Sequence, residues 1–384
     1  MTIARRLKAI NSIAEMRRAA RRTLPRMVWD YLDGGAGTES TLRENRDAFE
    51  RVRLLSAAPA DIANRSLKTT LFGRDYAMPV IVAPLGLASA FWVKGELALA
   101  RAAAAHDIPW VLSNNASVML DEAMAAGSGE KWFQLYVPPS REATEEWVRC
   151  IAAAGFGTVE ITVDTLVRSR RLRDMRNGFS MPFRWTPRKF LDVASHPDWA
   201  RRIGPHGAPH PALMFAVPWG DGAAEMGNRL SPSIDWDLLR WFRDAWHGRL
   251  IVKGLADPRQ GRIALEAGMD AIVISNHGGR QLDGAVATID ILPEFVAAVG
   301  GKLPILIDSG FRTGADVVKA LALGASAVQI GRAAAYGLAV AGEAGVAHAL
   351  QILRAEIDTT MALMGITRIG DLDPNLIRSR GGAA

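Results

Sequence analysis

The chain has 384 residues, nearly half of them apolar, enough for two average domains or for one large barrel of roughly 250 residues with additions. Its single cysteine, Cys150, excludes an internal disulfide and a cysteine metal cluster and points to a reducing compartment; it falls in a helix-like stretch, 141–154, and reads as packing. The formal charge of +6 is modest, but arginines gather at Arg5 to Arg26 and Arg168 to Arg176 with no zinc spacing or RNA-binding signature, so an anionic ligand or membrane surface is expected and nucleic acid is not.

The basic start, 1–27, superficially suits an organelle presequence. Its apolar residues recur at helical spacing and lead straight into folded-looking sequence, which predicts an ordinary N-terminal helix. Residues 1–75 form an N-terminal helical segment, with a helix through Met27 to Leu32 closed by the glycine-rich tract 33–37. The most apolar window, 77–93, is broken by Pro79, Pro84 and Gly86 and falls short of the ~20 residues a spanning helix needs. A cytoplasmic protein, in peripheral contact with the inner face of a membrane, is the expectation.

From Met78 onward short apolar runs alternate with alanine-rich helical stretches. The runs lie at 78–86, 109–115, 131–137, 158–164, 249–255, 271–277, 303–310 and 327–332. Eight strand-like runs with helical connections predict a (β/α)₈ TIM barrel over 76–370, an α/β fold, followed by a C-terminal tail at 371–384. A doubly wound open sheet is the structural alternative. After strand 4 a long insertion, about 177–232, reads as an irregular loop rich in Pro, Gly, Trp and His. Its arginines and aromatics fit a membrane interface, a cover over the active site or an oligomer contact. His206 and His210 read as loop residues and not as metal ligands.

The polar residues gather at the C-terminal ends of the strands. Gln134 and Tyr136 end strand 3, Thr162 and Asp164 strand 4, Lys253 lies in strand 5, Ser275 and His277 end strand 6, and Asp308 ends strand 7. A two-residue period points each pair to one side, and barrel enzymes carry their sites on this face. Arg312 follows strand 7, and Gly331 and Arg332 follow strand 8 at the start of a helix, the fold's usual phosphate position. His277 with Asp164 suggests a general base oriented by a carboxylate. Arg280 suits bidentate capture of a carboxylate. Together they imply a small carboxylic acid oxidised or deprotonated near its α-carbon.

The tract SNHGGRQLDGA at 275–285 resembles the signature of the FMN-dependent α-hydroxy acid oxidases and dehydrogenases. The resemblance extends over nearly the entire chain through DYLDGGAGTE at 30–39, NRDAF at 45–49, WFQLYV at 132–137, RLRDMRNGF at 171–179, VKGL at 252–255, IDSGFR at 307–312 and IGRA at 330–333. It implies oxidation of an (S)-2-hydroxy acid to the 2-oxo acid with FMN in the barrel mouth. Pro84, Leu85, Gly86, Ser113, Gln134, Thr162 and Ser275 would border the isoalloxazine, and Lys253 would stabilise its reduced, anionic form. Asp308 would hold the ribityl chain, with Gly310, Arg312, Gly331 and Arg332 at the phosphate end. Tyr31 and Arg280 would bind the substrate carboxylate with help from Arg171, Tyr136 would bond the hydroxyl, and His277 would take a proton. The resemblance also implies a homo-oligomer, a tetramer; as electron acceptor a quinone, oxygen or a carrier protein would each fit the sequence.

The chain departs from the family pattern in places. Leu85 replaces a threonine, Gly86 stands where many oxidases carry alanine, and Asn115 stands where glycolate oxidase-like members carry tryptophan. The tract 171–179 looks like mandelate enzymes and 190–203 like lactate dehydrogenases. A mandelate-like or otherwise bulky acid is therefore the first expectation, L-lactate the second, and a flavin-free barrel isomerase or aldolase with Lys253 as a Schiff-base lysine a remote third.

Overall fold

The computed structural model describes residues 3–179, 184–207, 209–216 and 231–379. All eight expected runs form strands, here β1 (Val80–Val82), β2 (Trp110–Ser113), β3 (Lys131–Tyr136), β4 (Thr158–Thr162), β5 (Arg249–Leu255), β6 (Ala271–Ile274), β7 (Ile305–Ile307) and β8 (Ala327–Ile330). They pair in parallel in chain order, and β8 closes on β1 through Val328 to Ile330 against Val80 to Val82. The strands are buried on both faces, which explains their continuous apolar character. Outward side chains meet the helix shell. The lower interior is filled by a separate apolar cluster that includes Ile81, Val111, Trp132, Ile251, Val273 and Leu306.

The hairpin Thr69–Leu71 and Arg74–Tyr76 plugs the N-terminal end of the barrel, adding Leu71 and Tyr76 to that cluster. Its two-residue turn, Phe72-Gly73, has positive φ at both positions, the twist-compatible hairpin geometry. Apolar filling at this end leaves the opposite mouth for polar groups.

The N-terminal segment clamps that mouth from the side. Helices Ile13–Thr23 and Arg26–Asp33 pack against the long helix Arg332–Leu363 that follows β8. Asp33 joins all three: Arg17 donates two hydrogen bonds to it at 2.7 Å and the Tyr336 hydroxyl a third at 2.7 Å. From helix Ser40–Arg51, Asn45 exchanges amide hydrogen bonds with Asn276 at 2.8 and 2.7 Å, pinning the loop after β6. Asp283 in that loop accepts from the Thr38 and Thr41 amides and from the Thr38 and Ser40 hydroxyls. Those donors outweigh the desolvation cost and hold its carboxyl well below the usual range.

Two expectations need correction. The run at 271–277 is a strand only to Ile274, and His277 has φ of +58°, so the period-two argument does not extend to it. The insertion is not wholly irregular: it contains helices Pro187–Ala194, Pro197–Ile203 and Ala212–Ala216, two of them opened by a proline in the first turn. Trp199 anchors it by donating to the Ala90 carbonyl at 2.9 Å. Residues 180–183, 208 and 217–230 of the insertion lie outside the described residues. In the segment read as a tail, Ile377–Ser379 pairs antiparallel with Val52–Leu54.

Candidate active site

The C-terminal mouth of the barrel opens into a cleft. It is lined by the side chains or backbone of Tyr31, Pro84, Leu85, Gly86, Gln134, Tyr136, Thr162, Arg171, Lys253, His277, Arg280, Asp308, Gly310, Arg312, Gly331 and Arg332. The fold thus brings together nearly every residue singled out above. Asp164, Ser113 and Ser275 sit one layer behind the wall: Asp164 against His277, Ser113 against Gln134, and Ser275 between Lys253 and the His277 amide.

His277 Nδ1 lies 3.0 Å from Asp164 Oδ1, and its Nε2 lies 3.4 Å from the Tyr136 hydroxyl. A carboxylate at Nδ1 fixes the tautomer with Nδ1–H, which leaves Nε2 as the basic atom at the cleft. The left-handed backbone at His277 aims the ring across to β3 and β4. Ser309 supports the turn, its hydroxyl accepting from the Gly278 amide at 3.0 Å and donating to Asp308 Oδ1 at 2.7 Å. Burial, and then the Asp164 carboxylate, push the Tyr136 hydroxyl well above its ordinary value, so it remains a neutral O–H group.

Lys253 is buried, hydrogen-bonds Ser275 Oγ at 3.0 Å and forms an ion pair with Asp308. Burial opposes its charge, but Asp308, Glu160 and Asp164 outweigh it and raise the ammonium above its ordinary value. A permanent cation therefore stands at one edge of the cleft. A Schiff base, which requires the neutral amine, is disfavoured there.

Four arginines converge on the same cleft. Among the described residues none of Arg171, Arg280, Arg312 and Arg332 has a carboxylate within ion-pair distance. Arg280 donates to the carbonyls of Tyr31 and Gly34 at 2.6 and 2.9 Å and lies over the Tyr31 ring. Arg332 donates to the carbonyls of Leu32, Gly278 and Gly34. Burial, followed by repulsion from Arg280, lowers Arg171 to about 10 and Arg332 to about 9. Asp174 and Asp33 act on them only from longer range, and guanidinium groups held together without a directly paired carboxylate constitute an anion site.

The cleft also has unpaired hydrogen-bonding groups. Gln134 Nε2 and Thr162 Oγ1 are buried and lack a partner among the described residues. Gln134 is oriented by accepting from Ser113 Oγ at 2.9 Å. A planar heterocycle with amide-like edges would satisfy them, and Lys253 would meet its electron-accepting edge. The long helix begins at Arg332 beside Arg312 and Gly310, so its free amides add to the phosphate end. The residues present fit FMN.

Sequence reasoning missed several members of this neighbourhood. Gln281 ties two loops by donating to the carbonyls of Asp164 and Val167, and Phe179 stacks on Tyr31 at 4.5 Å. Glu160 and Gln329 form a buried pair beneath the cleft. The two-residue period of β4 could have placed Glu160 on the same side as Thr162, but nothing local connects it with Gln329.

Comparison with known proteins agrees with this geometry. The family model described as FMN-dependent dehydrogenase matches residues 20–379. An (S)-mandelate dehydrogenase of Pseudomonas putida is 40% identical over 373 residues, 96% of this chain and 94% of that protein. An L-lactate dehydrogenase of Pseudomonas syringae pv. syringae is 41% identical over 374 residues, 96% of this chain and 98% of that protein. The crystal structure of the monotopic membrane protein (S)-mandelate dehydrogenase superposes with a TM-score of 0.92 at 39% identity, covering 97% of this chain and 100% of the other. A mandelate oxidase with (S)-2-phenylpropionate superposes with a TM-score of 0.82 at 36% identity, covering 98% of this chain and 100% of the other.

Proposed function

We propose, for a chain that belongs to the FMN-dependent dehydrogenase family, the oxidation of an aromatic or similarly bulky (S)-2-hydroxy acid to its 2-oxo acid. The protein is an FMN-dependent oxidoreductase, and the flavin, when bound, supplies the two-electron acceptor that the side chains lack. The observation that carries the reading is the pairing, in one cleft, of an oriented histidine with arginines that have no carboxylate within ion-pair distance among the described residues.

Arg280 and Arg171 bind the substrate carboxylate, with the neutral Tyr31 hydroxyl as a further donor. That hydroxyl donates to the Gly86 carbonyl at 3.2 Å, which holds it at the cleft wall. Tyr136 bonds the substrate hydroxyl, and His277 Nε2 takes its proton. Asp164 stabilises the resulting imidazolium through Nδ1–H. Gln134 and Thr162 would hold the polar edge of the flavin, Lys253 would offer it a positive charge, and Arg312 and Arg332 would hold the phosphate with Gly310 and Gly331.

Room for a bulky substituent follows from residues 86, 91 and 115. A Cβ at Gly86 would lie 3.0 Å from Asn115 Cβ and 3.7 Å from the Tyr31 hydroxyl, so glycine keeps that corner open. Phe91 and Tyr31 line the same cleft with ring centroids 6.1 Å apart. Lactate is the second reading, favoured by relatives named L-lactate dehydrogenase at 41% identity. Anaerobic bleaching of the yellow protein by (S)-mandelate tests the first, and a larger kcat/KM for L-lactate overturns it in favour of the second.

The exposed face of the insertion supports a reading of the location and the acceptor. Among the described residues no helix is long and apolar enough to cross a membrane. Trp185, Phe190 and Leu191 are nonetheless exposed on the insertion, beside Arg184 and Arg188. We place this face on the inner membrane surface, with a membrane quinone as acceptor. Stopped-flow reoxidation faster with oxygen than with a soluble quinone analogue would sink the quinone assignment. The homo-oligomer implied by the family belongs to the same proposal and is checked by light scattering.

A further inference from the structure

Glu160 is a carboxyl group in the barrel interior for which the mechanism above has no use. It lies on β4 with no solvent exposure, and Gln329 on β8 is 1% exposed. Gln329 Nε2 donates to Glu160 Oε2. The second Glu160 oxygen, Oε1, and the amide oxygen of Gln329, Oε1, are buried and have no donor among the described residues.

An ionised Glu160 leaves both of these oxygens as buried acceptors without a donor among the described residues, a cost opposed by the attraction of Lys253 and the Gln329 amide. A proton on Glu160 Oε1 removes the buried charge and makes that atom a donor.

The neighbours give that proton a role. Lys253 on β5 and Asp308 after β7 neutralise each other, and Asp164 after β4 pairs with His277. β1, β2, β3 and β6 contribute Ile81, Val111, Trp132 and Val273 to the interior, none of them charged. Glu160 thus decides whether the layer under the flavin is neutral or carries a net negative charge. Gln329 also lines the cleft, so the pair reaches the flavin floor.

We propose that Glu160 and Gln329 form an acid–amide pair that binds a proton in step with flavin reduction, offsetting one layer below the charge gained beside Lys253. Glu160 is a positioning residue and touches neither substrate nor flavin. The step is Glu160–COO⁻ plus a solvent proton giving Glu160–COOH, while the substrate supplies the electrons. Burial pushes the Glu160 carboxyl up to about 7, against the pull of Lys253 and Gln329, which leaves it poised to respond. Linkage makes the coupling reciprocal: a proton that favours reduced flavin is held more tightly by it.

The inference rests on the FMN reading, and the test separates the two. In spectroelectrochemical titration of the holoenzyme, reduced chemically without substrate, the wild-type midpoint potential should fall with pH through neutrality more steeply than that of Glu160→Gln. Superimposable curves overturn the proposal and leave the enzyme assignment intact, whereas a protein that never holds flavin overturns the assignment itself. Glu160→Leu gives a second acid-free chain if Glu160→Gln does not fold. A wild-type measurement needs neither: the reduced-minus-oxidised infrared difference spectrum at pH 8 should gain a protonated-carboxyl C=O band. Its absence overturns the coupling.

Discussion

Arg280 and Arg171 stand side by side under enough burial to lower Arg171 to about 10; among the described residues no carboxylate lies within ion-pair distance, and Asp174, further off, offsets only part of the effect. Holding both charged without a partner is costly in the free protein, so a substrate carboxylate gains what the arginines lack. Each charged hydrogen bond contributes about 1.5 to 3 kcal/mol. Arg280→Met should therefore lower kcat/KM for (S)-mandelate by about 10- to 150-fold per bond lost, and should hardly affect the neutral amide of the same acid. Equal losses on acid and amide would remove Arg280 from carboxylate binding. His277→Asn tests the complementary role. Loss of the general base should cost about 10²- to 10⁴-fold in kcat, with the flavin still bound and visible. Retained turnover would move proton abstraction to another group.

At the level of the elements, the polar mouth depends on turns that only certain backbones allow. Gly278 has φ of +64°, and a Cβ there would lie 2.7 Å from Arg332 Nη1. Gly278→Ala must pay the left-handed penalty of about 1 to 2 kcal/mol and also displace Arg332. It should lower Tm and release FMN more readily in an equilibrium dialysis series; unchanged FMN affinity would separate this turn from the cofactor site. Asp33 gives a pH-dependent counterpart. Although burial opposes ionisation, Arg17 and Tyr336 hold its carboxyl at about 2, below the ordinary value of 3.8. A lowered folded-state value means stability that is present above about pH 4 and lost as pH falls towards 2. The contribution is about 2 kcal/mol. Asp33→Asn should be less stable than wild type at pH 7 in urea, with the gap closing between pH 4 and 2; a constant gap would refute the linkage.

The same elements show what the sequence could reveal. Eight apolar runs were legible because parallel strands buried on both faces leave an uninterrupted hydrophobic signature, and Lys253, Asp308 and Gln134 stood out against it. The strand ends were less legible. Alternation predicted the direction of His277 from a strand geometry that stops at Ile274, and the residue instead reaches Asp164 through a left-handed turn. Ser113 and Ser275 looked like cleft residues and lie behind it, because one layer of depth in a barrel is invisible to a linear pattern. The Glu160 and Gln329 pair spans a sequence separation of 169, and neither residue carries a local sign of the other.

Over the whole molecule, the face that bears the insertion differs from the rest. Trp185 is 61%, Phe190 65% and Leu191 69% exposed, on a segment flanked by Arg184 and Arg188. The helix Pro187–Ala194 that carries two of these apolar side chains is tied to the body through Asp192, which accepts from the Arg26 and Met27 amides. The apolar tips are thus held outward on a fixed mount. Fully burying a Phe or Leu side chain contributes about 1.5 to 3 kcal/mol, so these two together supply about 3 to 6 kcal/mol, or up to about 10²- to 10⁴-fold in partition. The arginines add an attraction to anionic lipid that salt screens. The double substitution Phe190→Ser with Leu191→Ser should release the protein from anionic phospholipid vesicles in a sedimentation assay while leaving turnover with a soluble acceptor unchanged, because neither residue lines the cleft. Raising the salt should weaken the wild type only partly, since the apolar share persists. Retention of the double variant on vesicles at low and high salt alike would move the membrane contact to another face of the barrel.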